Sequence, residues 1–131
     1  MMTIASLAIV CSGCSEETGP TRYPVESGQV TGRAIVGGIP ISGGWIELIP
    51  TDGTAGDLRS SPLAPDGSFA IDRAPAGVVS VRIVNAPANL ESRIPQDVRI
   101  SFASLVRLKI EPNRENRVVI DVLSGKTERL E

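Results

Sequence analysis

Hydrophobic and polar residues alternate along most of this chain, and Gly, Pro, Asp and Asn interrupt the alternation at short intervals. The clearest stretch runs from 65 to 83. Asp66-Gly67 carries a hairpin turn signal, because turns that match strand twist need positive φ, which Gly and Asp tolerate. After it Phe69 and Ile71 point one way and Ser68, Ala70 and Asp72 the other, the period of a half-buried strand. Ala74-Pro75-Ala76-Gly77 is a second break, leading into Val79, Val81 and Ile83, which alternate with Ser80 and Arg82.

The same reading predicts strands over 28–36, 45–50, 60–64, 68–72, 78–84, 102–110 and 118–123. In the second, Ile46 and Leu48 share one face, and Trp45, Glu47 and Ile49 share the other. In the sixth, Val106, Leu108 and Ile110 oppose Leu105, Arg107 and Lys109. The stretch 37–44 is a connector whose glycines supply positive φ; 51–59 and 85–92 read as loops, and Pro95 breaks 93–101. No segment carries a convincing helical period. Seven short strands with no helix predict an all-β fold, a single antiparallel β-sandwich with Phe69 as a core anchor.

Composition narrows the picture. The chain of 131 residues holds one domain plus a short extension. Apolar residues make up 41% but aromatics only 3%, so the core is aliphatic, and 13 Gly with 10 Pro leave little room for long helices. Net charge is −2, and the 13 basic residues are scattered without a run, so no stripe suited to a phosphate backbone is present and nucleic acid is not an expected partner.

The first residues read as an address. Residues 2–13 are uncharged and include Ile4, Leu7, Ile9 and Val10, a run too short to span a bilayer as a helix. The run closes on small residues before a polar stretch, as a signal peptide does. Gly13-Cys14 resembles the lipobox of bacterial lipoproteins, which implies cleavage before Cys14 and its acylation. Cys11 stands where that pattern has an aliphatic residue, and no Lys or Arg precedes Val10. The rival readings are an apolar terminus with two incidental thiols and, more remotely, a Cys-x-x-Cys redox site without its strand-to-helix context. The expected layout is a signal peptide at 1–13, a tether at 14–27, the sandwich at 28–124 and a polar tail at 125–131.

Val30-x-Gly32 followed by Gly38-Ile39-Pro40-Ile41-Ser42-Gly43-Gly44-Trp45-Ile46-Glu47-Leu48-Ile49-Pro50 resembles the opening of carboxypeptidase regulatory-like domains. Asp66-Gly67-Ser68-Phe69 and Pro75-Ala76-Gly77-Val78-Val79-Ser80-Val81 resemble the middle of the same family. Ala34 replaces a larger aliphatic residue and Val79 the usual Tyr. The resemblance implies a seven-stranded prealbumin-like (transthyretin-like) sandwich, a fold often carried singly on bacterial lipoproteins.

The chain has no His, which removes the commonest general base. The catalytic relatives of the fold, the hydroxyisourate hydrolases, depend on histidines and a C-terminal Tyr-Arg-Gly-Ser, neither of which occurs here, so the reading is not an enzyme. Asp52, Asp57, Asp66 and Asp72 lack calcium-loop spacing and are better explained by turns; no metal or cofactor is expected. Trp45, predicted to face outward, is the candidate ligand contact, with shielding of a sheet edge as the plainer alternative. Arg107, Lys109, Arg114 and Arg117 read as a solvated sheet face. The expected function is therefore a lipid-anchored cell-envelope protein whose non-catalytic sandwich is a binding or structural module. Its partners would be membrane lipid through Cys14 and an envelope protein or glycan. A carbohydrate-binding module centred on Trp45 is the alternative, and an accessory domain of an envelope hydrolase a weaker one.

Overall fold

A computed structural model describes residues 25–100 and 104–130, and over these the chain is all-β, with two sheets and two short helices. The first sheet is built on β1 (Ser27–Val36). One edge of β1 pairs antiparallel with β5 (Ser68–Pro75) and then with β2 (Ile39–Pro40); the other pairs in parallel with β8 (Glu115–Asp121), which carries β9 (Lys126–Arg129). The second sheet runs β4 (Arg59–Pro62), β3 (Trp45–Pro50), β6 (Gly77–Val84), β7 (Arg107–Ile110). Inward residues of both sheets form one aliphatic core around Val30, Ile46, Leu48, Phe69, Val81 and Ile120. The two layers make a β-sandwich, but not the wholly antiparallel one expected, because β8 runs parallel to β1.

Side-chain period 2 decides which residues enter that core. Phe69 and Ile71 are buried, as are Val79, Val81 and Ile83, while Asp72 is exposed and Arg82 half-buried, as the alternation predicts. The β1–β2 turn is Gly37-Gly38, with φ of 59° and 85°, which L side chains rarely adopt. Gly32 answers a different need. A Cβ there would lie 2.0 Å from the Val118 carbonyl oxygen, so the parallel approach of β8 to β1 requires its absence.

Several expectations are corrected. Nine strands are present among the described residues rather than seven; the additions are the two-residue β2 and β9, the latter inside the expected polar tail. Asp66-Gly67 is a turn, but not a hairpin within one sheet: β4 pairs with β3 and β5 with β1, so the turn passes the chain between layers. The Pro75–Gly77 break does the same between β5 and β6. Helices α1 (Ala88–Glu91) and α2 (Gln96–Ile100) occupy the segment read as a loop and a broken stretch. Pro87 and Pro95 precede the first turns, where a missing N–H costs nothing, so proline starts these helices rather than forbidding them. Leu90, Ile94 and Val98 bury against the core. Strand β7 begins at Arg107, later than expected. The basic residues do not share a face: Arg107 and Lys109 lie on β7, Arg117 on β8 of the other sheet, and Arg114 precedes β8.

Candidate functional site

Trp45 opens β3 on the outward face of the second sheet and is 45% exposed, the highest value on that strand. Its position follows from its neighbours, because Ile46 and Leu48 are fully buried and fix the parity of the strand. Directly across the ladder sit Pro62 of β4 on one side and Val84 of β6 on the other. The Gly44 carbonyl accepts a 2.9 Å hydrogen bond from the Leu63 N–H, pinning the entry to β3 against the exit of β4. The indole thus stands in an apolar row at one end of a sheet face.

One step along the same face, Glu47 lies opposite Arg82. Arg82 Nε and Nη2 both donate to Glu47 Oε1 at 2.5 Å, and the two side chains are mostly shielded from solvent. Such a charge-assisted pair holds both groups in fixed orientations. Further along, Ile49 is buried despite its outward parity, and Ser80 opposite it is buried with its hydroxyl against Ser104. The face is therefore graded, from an exposed indole through an ordered ion pair to a covered end. At its open end Val84 and Ile100 line a hollow of about 180 Å³ with Arg99 and Glu91, whose charges lie 3.8 Å apart. Ile100 is 61% exposed.

The opposite sheet presents a polar face. Gln29 donates to Asp72 at 3.1 Å, Thr31 to Glu115 at 2.7 Å, and Arg33 Nε to the Asp66 carbonyl at 3.1 Å. The four aspartates considered for calcium are dispersed. Asp52 pairs with Arg107, Asp66 accepts from Ser68, Asp72 accepts from Gln29, and Asp57 lines a separate concavity. Among the described residues no group of His, Cys, Asp and Glu is placed to hold a metal ion. Cys14, the expected lipidation site, lies outside the described residues.

Sequence reasoning missed a buried polar knot. Asn116 is fully buried, and its Nδ2 donates to the carbonyls of Gln29, Glu111 and Arg114 at 3.0–3.3 Å. Its Oδ1 accepts from the Glu111 N–H and from Arg129 Nη1. It also missed the bulge at Asp72-Arg73, after which burial passes from Phe69 and Ile71 to the adjacent Ala74 and Pro75.

The domain is thus an all-β, two-sheet module whose outward faces differ, one polar and one carrying an exposed indole. No family model matches the chain, and no curated protein or solved structure matches it either.

Proposed function

We propose that this chain is a lipid-anchored protein of the cell envelope whose β-sandwich acts, without catalysis, as a binding or structural module. The observation that carries the reading is Trp45, a large amphipathic ring left exposed in an apolar row with Pro62 and Val84 on a rigid sheet. Exposed Trp held on a rigid scaffold is a frequent anchor of contact surfaces. The apolar run before Gly13-Cys14 supports the anchoring, and the tether then presents the domain at a membrane surface. The motif positions support a carboxypeptidase regulatory-like, prealbumin-like identity: Val30-x-Gly32 falls in β1, and Pro75-Ala76-Gly77 joins β5 to β6.

A carbohydrate ligand is the second reading, favoured by the Glu47–Arg82 pair beside the indole. Residues two apart on a strand stand about 6.6 Å apart, so a sugar ring stacked on Trp45 brings its hydroxyls to the fixed charges. The test is retention of the full chain and of Trp45→Ala on isolated envelope fractions, protein-rich and glycan-rich. The reading requires retention that the substitution lowers, and equal retention of both proteins opposes it. Anchoring is tested separately by mass spectrometry of the native N-terminus: an acylated Cys14 supports it, and an unmodified Met1 or Met2 contradicts it.

A further inference from the structure

A concavity of about 210 Å³ opens where the chain enters β1, lined by Val25, Gly56, Asp57, Arg59, Arg73 and Pro75. Its two arginines come from different sheets, Arg59 from the first position of β4 and Arg73 from β5. Arg73 has φ of 56°, at the bulge where Asp72 and Arg73 together face Gln29. Bulges with a left-handed residue ordinarily place Gly there; Arg in that conformation carries a backbone cost, and the bulge re-aims its side chain. Asp72 is already engaged by Gln29. The side chains of Arg73 and Arg59 have no hydrogen bond or ion pair with any described residue, and Asp57 pairs with neither.

We propose that Arg59 and Arg73 form a phosphate-binding site, independent of the Trp45 face. Two arginines lining one concavity match the several acceptor oxygens of a phosphoryl group, each guanidinium able to make paired N–H···O bonds. Asp57 repels a fully ionised oxyanion but accepts a hydrogen bond from a proton or hydroxyl that the ligand carries. The site therefore prefers phosphate, or a phosphodiester bearing hydroxyls, to sulfate. The same chemistry is offered by free phosphate and by a glycerol phospholipid headgroup, and the concavity lies beside Val25, where the tether joins the domain.

The test is a ¹⁵N NMR titration of the full chain with inorganic phosphate, with chloride and sulfate at matched ionic strength. Saturable shifts at Gly56, Asp57 and the arginine Nε groups are expected with phosphate, weaker ones with sulfate and none that saturate with chloride. Arg73→Gly keeps the left-handed residue without backbone cost, so its melting temperature should hold or rise while phosphate affinity falls about tenfold or more. Arg59→Gln should weaken binding similarly and stands alone if Arg73→Gly misfolds. Titration with sn-glycero-3-phosphoglycerol separates the sources: tighter binding than phosphate assigns the headgroup, weaker binding the free anion. Shifts that do not saturate with either ligand, or that both variants leave unchanged, overturn the proposal.

Discussion

Arg129 Nη1 donates a 3.0 Å hydrogen bond to Oδ1 of Asn116, joining the last strand to the most thoroughly bonded buried amide in the domain. The same guanidinium reaches the Lys109 carbonyl through Nη2, and Thr127 donates to the Arg107 carbonyl at 3.1 Å. Arg107 and Lys109 point these carbonyls away from β6, toward the free edge of β7. Side chains of β9 thus satisfy the edge of the opposite sheet and close that flank of the sandwich.

Asn116→Ala should be among the most damaging polar substitutions. It removes the Asn116 partner from the Glu111 N–H and from the Gln29, Glu111 and Arg114 carbonyls, of which Arg114's keeps the Gln29 N–H. Leaving such groups unmet in a buried place costs about 3 kcal/mol, a large part of a small domain's stability. Urea unfolding of the variant measures this. Asn116→Asp should not rescue it, because a carboxylate cannot donate to the three carbonyls.

Arg129→Ala should cost about 1–2 kcal/mol, since Asn116 keeps its other partners. Its second effect is at the edge. With the Lys109 carbonyl uncovered, β7 becomes a site for pairing between molecules, so light scattering on heating should rise at a lower temperature than in the parent.

Phe69→Ala and Trp45→Ala should separate widely. Phe69 is buried in the shared core, and its truncation should cost about 3–5 kcal/mol through lost transfer energy and a cavity. Trp45 is nearly half exposed, so Trp45→Ala should cost about 1 kcal/mol or less. Paired urea melts decide, and a larger loss for Trp45→Ala would contradict the placement of the indole outside the core.

Asp66 links the inter-sheet turn to pH. The Ser68 hydroxyl and N–H donate to its Oδ1 at 2.6 and 3.0 Å, and chiefly the hydroxyl bond holds the carboxyl below its ordinary value. A carboxyl lowered in the folded state stabilises fully above its unfolded pKa, and that contribution is lost as pH falls through the folded value. Acid unfolding of Asp66→Asn should therefore lack this part of the pH dependence, as stability measured from neutral pH down through the carboxylate range will show.

Which face each residue takes was legible, because a period of two survives wherever one side is buried and the other wet. Phe69 with Ile71, Val79 with Val81, and Ile46 against Trp45 all follow it. Which sheet a strand joins was not legible, since alternation looks the same on either side of the core. The turn at Asp66-Gly67 therefore reads as a hairpin and Pro75-Gly77 as a plain break between strands, though each crosses between layers. The parallel pairing of β1 with β8 joins distant residues, such as Gly32 with Val118, and only Gly32 hinted at a close neighbour. Strand β9 escaped because Lys126-Thr127-Glu128-Arg129 is polar throughout; Thr127 and Arg129 turn inward to meet carbonyls rather than apolar side chains. Of the candidate site, Trp45 was legible by parity, whereas the Arg59–Arg73 concavity needed the bulge that breaks it.

The most direct test of the contact-surface reading uses the fact that Trp45 is the only tryptophan in the chain, so its emission reports on that residue alone. The free protein should emit at long wavelength and be quenched readily by acrylamide. Adding the envelope fraction that retains the protein should shift the emission to shorter wavelength and protect it, and Trp45→Ala should lose retention while remaining folded, with at most a small drop in its urea midpoint. Unchanged emission and quenching while the protein is fully retained would contradict the account.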